Sequence, residues 1–164
     1  MQTQNKKIQD EKFPLVEGEL EAIIVNGDAE KLVILAEKIG RELVKYKLTT
    51  SQVRNFFGIA RQIESEIDQE KRKPQGTKEL PRELPDKAYR QLMLLKPKLA
   101  YQSRRSKEQQ KSEGVEKLSE VLIPAIDLVG KDIERFKNFI DFFEAILAYH
   151  NANGGRESSG RGGF

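Results

Sequence analysis

The apolar positions of this chain fall into helical stripes. In LTTSQVRNFFGIARQIESEI, from Leu48 to Ile67, apolar side chains stand at Val53, Phe56, Phe57, Ala60, Ile63 and Ile67, the spacing of one wide helical face. Thr49 can serve as N-cap and Gln52 can bond back to it, the two halves of a capping box. Upstream, Asp28 caps a predicted helix to about Lys47, with Leu32, Leu35, Ala36, Ile39, Leu43 and Tyr46 along its stripe. The link Leu48–Thr49 is short enough to predict that these two helices pack as an antiparallel pair.

A third helix is predicted from an Asp86 cap through DKAYRQLMLLKPKLAYQSRR, broken or kinked at Pro97. SKEQQKSE, Ser106 to Glu113, has no apolar residue and reads as a loop. A fourth helix follows a Ser112 cap, carries Val115, Leu118, Val121, Leu122, Ala125, Ile126 and Val129, bends at Pro124 and ends at Gly130. The last helix, Lys131 to about His150, is apolar on two adjoining faces, with Ile133, Phe136, Phe139, Ile140, Phe143 and Leu147 on one and Phe142, Ile146 and Tyr149 on the other. Such breadth predicts either a central position in the bundle or sharing with another chain, and central burial is the expectation.

No stretch alternates as a strand would. The prediction is an all-α fold, a compact bundle of about five helices over residues 28–150. An N-terminal tail with a short apolar lead-in, Leu20 to Val25, occupies residues 1–27. The proline-rich charged segment 71–85 reads as an exposed loop, and the Gly/Ser-rich residues 151–164 as a disordered tail.

At 164 residues the chain suits one domain with its own core. It has no cysteine, so disulfides and thiolate metal sites are excluded, and its single histidine, His150, cannot form a multi-histidine site alone. His150 falls in the last turn of its helix, where a cation suits the dipole. No apolar run approaches ~18 residues and no signal-peptide core is present, which predicts a cytoplasmic protein without a membrane partner.

The formal net charge of +3 conceals an asymmetry: residues 1–70 carry a net −3, residues 71–111 a net +9 and residues 112–164 a net −3. A basic middle third between acidic ends points to a polyanion-binding surface. A polar stripe fits this. Ser51, Arg54, Gly58, Arg61 and Ser65 follow one another at steps of three and four opposite the apolar face of their helix. A helical glycine costs roughly 1 kcal/mol against alanine. Either Gly58 admits an extended polyanion gripped by Arg54 and Arg61, or it gives a neighbouring helix room to pack. Lys38, Arg41 and Lys45 lie together on the flank of the preceding helix. Tyr89 and Tyr101, in the basic third, are candidates for base stacking or for core edges.

No catalytic chemistry is legible. There is no phosphate-cradling glycine loop with its lysine, no HExxH pair and no nucleophile elbow. No enzyme activity, cofactor, metal or small-molecule substrate is expected.

Three motifs in order, LTTSQVRNFF with IARQIE, then LMLLKPKLAYQSRR, then FKNFIDFFEAILAYH, resemble the small subunit of type III-A CRISPR–Cas (Csm) effector complexes. The resemblance covers roughly Leu32 to His150; the loop from Lys71 to Pro85 is long and proline-rich for that family. It implies a helical, non-catalytic protein whose partners are guide RNA, target RNA and the other Csm subunits, and whose copies stack head to tail as a minor filament along the paired RNAs. It implies RNA contacts at Arg54 and Arg61 from the first motif and at Lys96, Lys98, Arg104 and Arg105 from the second. Lys38, Arg41 and Lys45 come from the helix-face argument alone. A head-to-tail contact joins two different surfaces, so an open filament as well as a dimer is compatible, and the broad last helix is a candidate for one of them. Two other readings stand beside this one, an α-helical module that binds only protein and a standalone homodimeric nucleic-acid-binding protein. Salt dependence separates them, because phosphate contacts weaken with a slope near −0.7 per neutralised phosphate on single strands.

Overall fold

The computed structural model describes residues 18–72, 81–109 and 113–155. They form six α-helices: α1 Glu19–Ile24, α2 Ala29–Lys45, α3 Thr50–Arg72, α4 Asp86–Glu108, α5 Gly114–Val129 and α6 Ile133–Ala152. The all-α reading holds, with one helix more than expected. The extra one is the apolar lead-in, which folds as α1 and buries Ile23 and Ile24 completely. Of the predicted tails 1–27 and 151–164, residues 1–17 and 156–164 lie outside the described residues, whereas 151–155 are ordered. α6 runs to Ala152, and Gly155 N–H donates to His150 O at 2.9 Å while its carbonyl accepts from Thr50 Oγ1 at 3.0 Å.

Local signals placed most helix ends. The Asp28 carboxylate accepts from Lys31 N–H at 3.0 Å, and Asp132 does the same for Arg135 at 2.9 Å. Thr49 Oγ1 accepts from Gln52 N–H while Gln52 Oε1 accepts from Thr49 N–H, each at 3.1 Å, which completes the capping box. At the end of α2, Lys47 takes a left-handed φ of 60°. Leu48 N–H bonds back to Leu43 O at 3.1 Å and Lys47 N–H to Val44 O at 3.0 Å, the paired bonds of a Schellman turn.

Other ends differ from expectation. Asp86 is the first residue of α4 rather than its cap; the carbonyl of Pro85 receives Tyr89 N–H at 2.9 Å. α4 runs unbroken through Pro97 and on to Glu108, so its last turn replaces the start of the predicted loop. Ser106 is buried there. Proline removes its own N–H from the ladder and crowds the carbonyl four residues before it, and extensive packing of α4 on α5 accompanies the continuous helix across this position. The antiparallel run of α4 and α5 is tied by ion pairs from Lys96 to Asp127 and from Lys107 to Glu116. α5 likewise continues through Pro124, and its predicted cap Ser112 is outside the described residues. In the predicted exposed loop, Leu84 is buried, and backbone bonds Leu84 N–H to Lys131 O (2.7 Å) and Ile133 N–H to Arg82 O (2.9 Å) hold residues 82–84 beside the start of α6.

α6 is the central element, as its breadth predicted. It packs against α1, α2, α3 and α5, and Phe136, Phe139, Phe142, Phe143 and Ile146 are all buried. Edge-on contacts of Phe143 with Phe57 (5.3 Å) and with Phe139 (6.1 Å) line its seam with α3. The apolar faces of α6 are therefore taken up within its own bundle. The predicted antiparallel pairing of α2 with α3 is also overturned, because α2 packs on α6 and not along α3. The cause is Gly40. A Cβ there would lie 2.7 Å from Tyr149 Cβ and 2.8 Å from the His150 nitrogen, so only glycine lets the two backbones meet.

Candidate nucleic-acid interface

One end of the bundle is organised around Leu48, which is buried in the link between α2 and α3. His150, fully buried at the end of α6, donates from Nε2–H to the Leu48 carbonyl at 2.7 Å, and its Nδ1 has no partner among the described residues. It is a core residue that ties the end of α6 to the link between α2 and α3. Gly114, at the start of α5, lies so close that a Cβ would stand 2.6 Å from Leu48 Cα. Lys107 near the end of α4 pairs with Glu116 one turn into α5, at 2.6 Å. That hydrogen bond holds the Lys107 ammonium above the ordinary lysine value, with burial opposing it. The ends of α2, α4 and α6 and the starts of α3 and α5 thus meet at this pole.

Four of the cations singled out in the sequence, Lys45, Arg54, Arg104 and Arg105, come to this end, and all are exposed. Arg104 is paired with Glu108 at 3.0 Å and Lys45 with Glu42 at 2.8 Å. Both pairs are local and surface-exposed, worth about 0.3–0.5 kcal/mol, so a phosphate can displace them. Lys47, Lys107 and Lys117 join them, with Lys117 lying 5.2 Å over the Tyr46 ring. The sequence reading did not select these three, because nothing in a helix-face pattern shows that separate helix ends converge.

The α3 stripe runs away from this pole along the surface. Ser51, Arg54, Gly58, Arg61 and Ser65 are all exposed. A Cβ at Gly58 would meet no atom within 4 Å, so the glycine makes no room for a helix of this chain. One heptad separates Arg54 from Arg61, about 10.5 Å along the axis. Arg61 is held in place by Glu64 at 2.7 Å and by the Phe57 ring beneath it at 5.6 Å.

The remaining candidates are dispersed. Lys98 and Lys38 are exposed and make no ion pair among the described residues. Lys96 is drawn across to Asp127 and retains only 31% of its side-chain exposure, which makes it a tie between α4 and α5. Arg41 pairs with Glu37 at 3.1 Å. Since α2 does not pack along α3, the flank of Lys38 and Arg41 is not brought beside the Arg54–Arg61 stripe by direct helix contact. Among the described residues no group of three or more His, Cys, Asp or Glu could hold a metal ion, and no helix is long and apolar enough to cross a membrane.

Fold and surface together define a small all-α protein that presents spaced cations on rigid helices. The family model described as Csm2 Type III-A matches residues 26–156, which takes in every helix except α1. The chain belongs to this family and is a small subunit of a type III-A CRISPR–Cas effector complex. No curated protein and no solved structure matches it.

Proposed function

We propose that this chain is a non-catalytic subunit that holds guide and target RNA by the phosphate backbone, without reading sequence, in cytoplasmic antiviral defence. The observation that carries this is the open stripe on α3. Two arginines stand one heptad apart with an unobstructed glycine between them, on a helix whose other face is locked into the core. A protein that accepts any target sequence must contact phosphates and shape rather than base edges. Arg54 and Arg61 grip the strand, Gly58 lets it approach the helix backbone, and Lys98, Arg104 and Arg105 extend the contact at α4. Lys38, Arg41 and Lys45 form a secondary flank, and Lys96 contributes only if it leaves Asp127.

Head-to-tail stacking of copies and contact with other Csm subunits complete the role. With the apolar faces of α6 turned into the core, the apolar surface available for such a contact includes Val33 and Ile34 on α2, 45% and 55% exposed.

The test is RNA binding by wild type and by the double variant Arg54→Ala/Arg61→Ala across a salt series. The variant is expected to bind more weakly and to lose about 1.4 from the log–log salt slope, the share of two single-strand phosphates. Equal affinity and slope would remove the stripe from the interface. No RNA binding by wild type at low salt would favour a module that contacts only protein.

A further inference from the structure

We propose that Tyr101 is a base-stacking residue, taking an unpaired nucleobase of RNA on its ring while Lys98, Arg104 and Arg105 hold the adjoining phosphates. The inference rests on the RNA-binding reading above and adds a base-contacting element to it.

The chain has four tyrosines, and three are accounted for within the fold. Tyr46 and Tyr89 are half-buried under Lys117 and Lys131, whose ammonium groups lie 5.2 and 5.1 Å from the ring centroids. Tyr149 is half-buried, with its Cβ against Gly40. Tyr101 is different. It is 63% exposed, and among the described residues its phenol makes no hydrogen bond and its ring meets no other ring or cation. The core-edge role that the sequence allowed for it is therefore not the one it takes.

Its neighbourhood on α4 selects the kind of partner. Lys98 lies three residues before it, and Arg104 and Arg105 three and four after, so all share its side of the helix. Lys98 and Arg105 make no ion pair among the described residues, and Arg104 has only its local contact with Glu108. Towards the N-terminus the same side continues through exposed Pro97 to Leu94, 45% exposed. The result is an uncharged strip of one aromatic ring and two aliphatic side chains, bordered by cations. A wholly apolar partner would leave those cations facing it without counterions. A flat, aromatic ligand that carries anions on its edge satisfies both, and a nucleotide is such a ligand. Tyrosine also suits the task because ordering its ring restricts only two side-chain torsions.

The experiment uses the full chain with a single-stranded RNA oligonucleotide carrying one 2-aminopurine, whose fluorescence is quenched when it stacks. Tyr101→Ala is expected to bind roughly tenfold more weakly and to lose the quench, with the salt slope unchanged because no cation has been removed. Tyr101→Phe should retain both, since the ring and not the hydroxyl carries the contact. Circular dichroism should show unchanged helicity in both variants, because the ring lies outside the core. If Tyr101→Ala binds and quenches like wild type while Arg54→Ala/Arg61→Ala loses affinity, stacking is overturned and phosphate gripping stands. If Tyr101→Ala keeps RNA binding but loses self-association, the strip is a protein contact and the inference is overturned. If wild type binds no RNA at low salt, both readings fall together.

Discussion

Gly58→Ala separates a functional glycine from an incidental one, because stability and binding should move in opposite directions. Gly58 lies within α3, with an ordinary helical φ and nothing within 4 Å of where a Cβ would go. Alanine there meets no steric penalty and gains the helix-propensity difference, about 0.8–1 kcal/mol. For a chain of this size the gain raises the melting temperature by roughly 2–4 °C. The same methyl adds about 1.5 Å of relief between Arg54 and Arg61, where the strand is proposed to lie. If the backbone must retreat far enough to lose one charge-assisted hydrogen bond, the cost is about 1.5–3 kcal/mol, tenfold or more in Kd. Thermal unfolding followed by circular dichroism reads the first effect, and fluorescence anisotropy with labelled RNA at low and physiological salt reads the second. A higher melting temperature with unchanged affinity would refute the close-approach role of Gly58. A lower melting temperature would refute the claim that its surroundings are open.

Gly40→Ala is the opposite case, since its Cβ would press into the backbone of α6 at 2.8 Å; it should cost about 1–3 kcal/mol, seen as a lower urea midpoint. Asp141→Asn should raise stability at neutral pH. Burial first, and the charge of Glu144 second, hold the Asp141 carboxyl above its ordinary value, so its ionised form disfavours the fold. The wild-type chain sheds that penalty as pH falls through the raised value, so the advantage of Asn should be full at neutral pH and vanish in acid. Urea unfolding at several pH values checks this, and a pH-independent difference between the two proteins would contradict it.

Much of the helical layout was legible in the chain, because caps and stripes depend on neighbours within about four residues. Thr49 with Gln52, and the Asp28 cap, placed helix starts from local chemistry alone. The two apolar faces of the last helix identified the centre of the core for the same reason. The exposed set Ser51, Arg54, Gly58, Arg61 and Ser65 follows from that logic too, since residues opposite a buried stripe face solvent.

Contacts between distant segments decided the rest. A helical pattern shows that Gly40 and Gly114 are glycines, but not that α6 and Leu48 will press against them. Those close approaches go with α2 lying on α6 instead of along α3, and with α5 starting against Leu48 at the pole where five helix ends meet. Lys96 and Lys98 look equivalent in sequence, yet only Lys96 faces Asp127, thirty-one residues away. Distant contacts likewise settled the environments of His150 and Tyr101, which their local sequence left open. The histidine was closed in by Leu48 and Gly155, while the tyrosine was left uncovered on the outward side of α4. Local sequence determines which faces are apolar and where helices start; which faces meet depends on backbone approach across the whole fold.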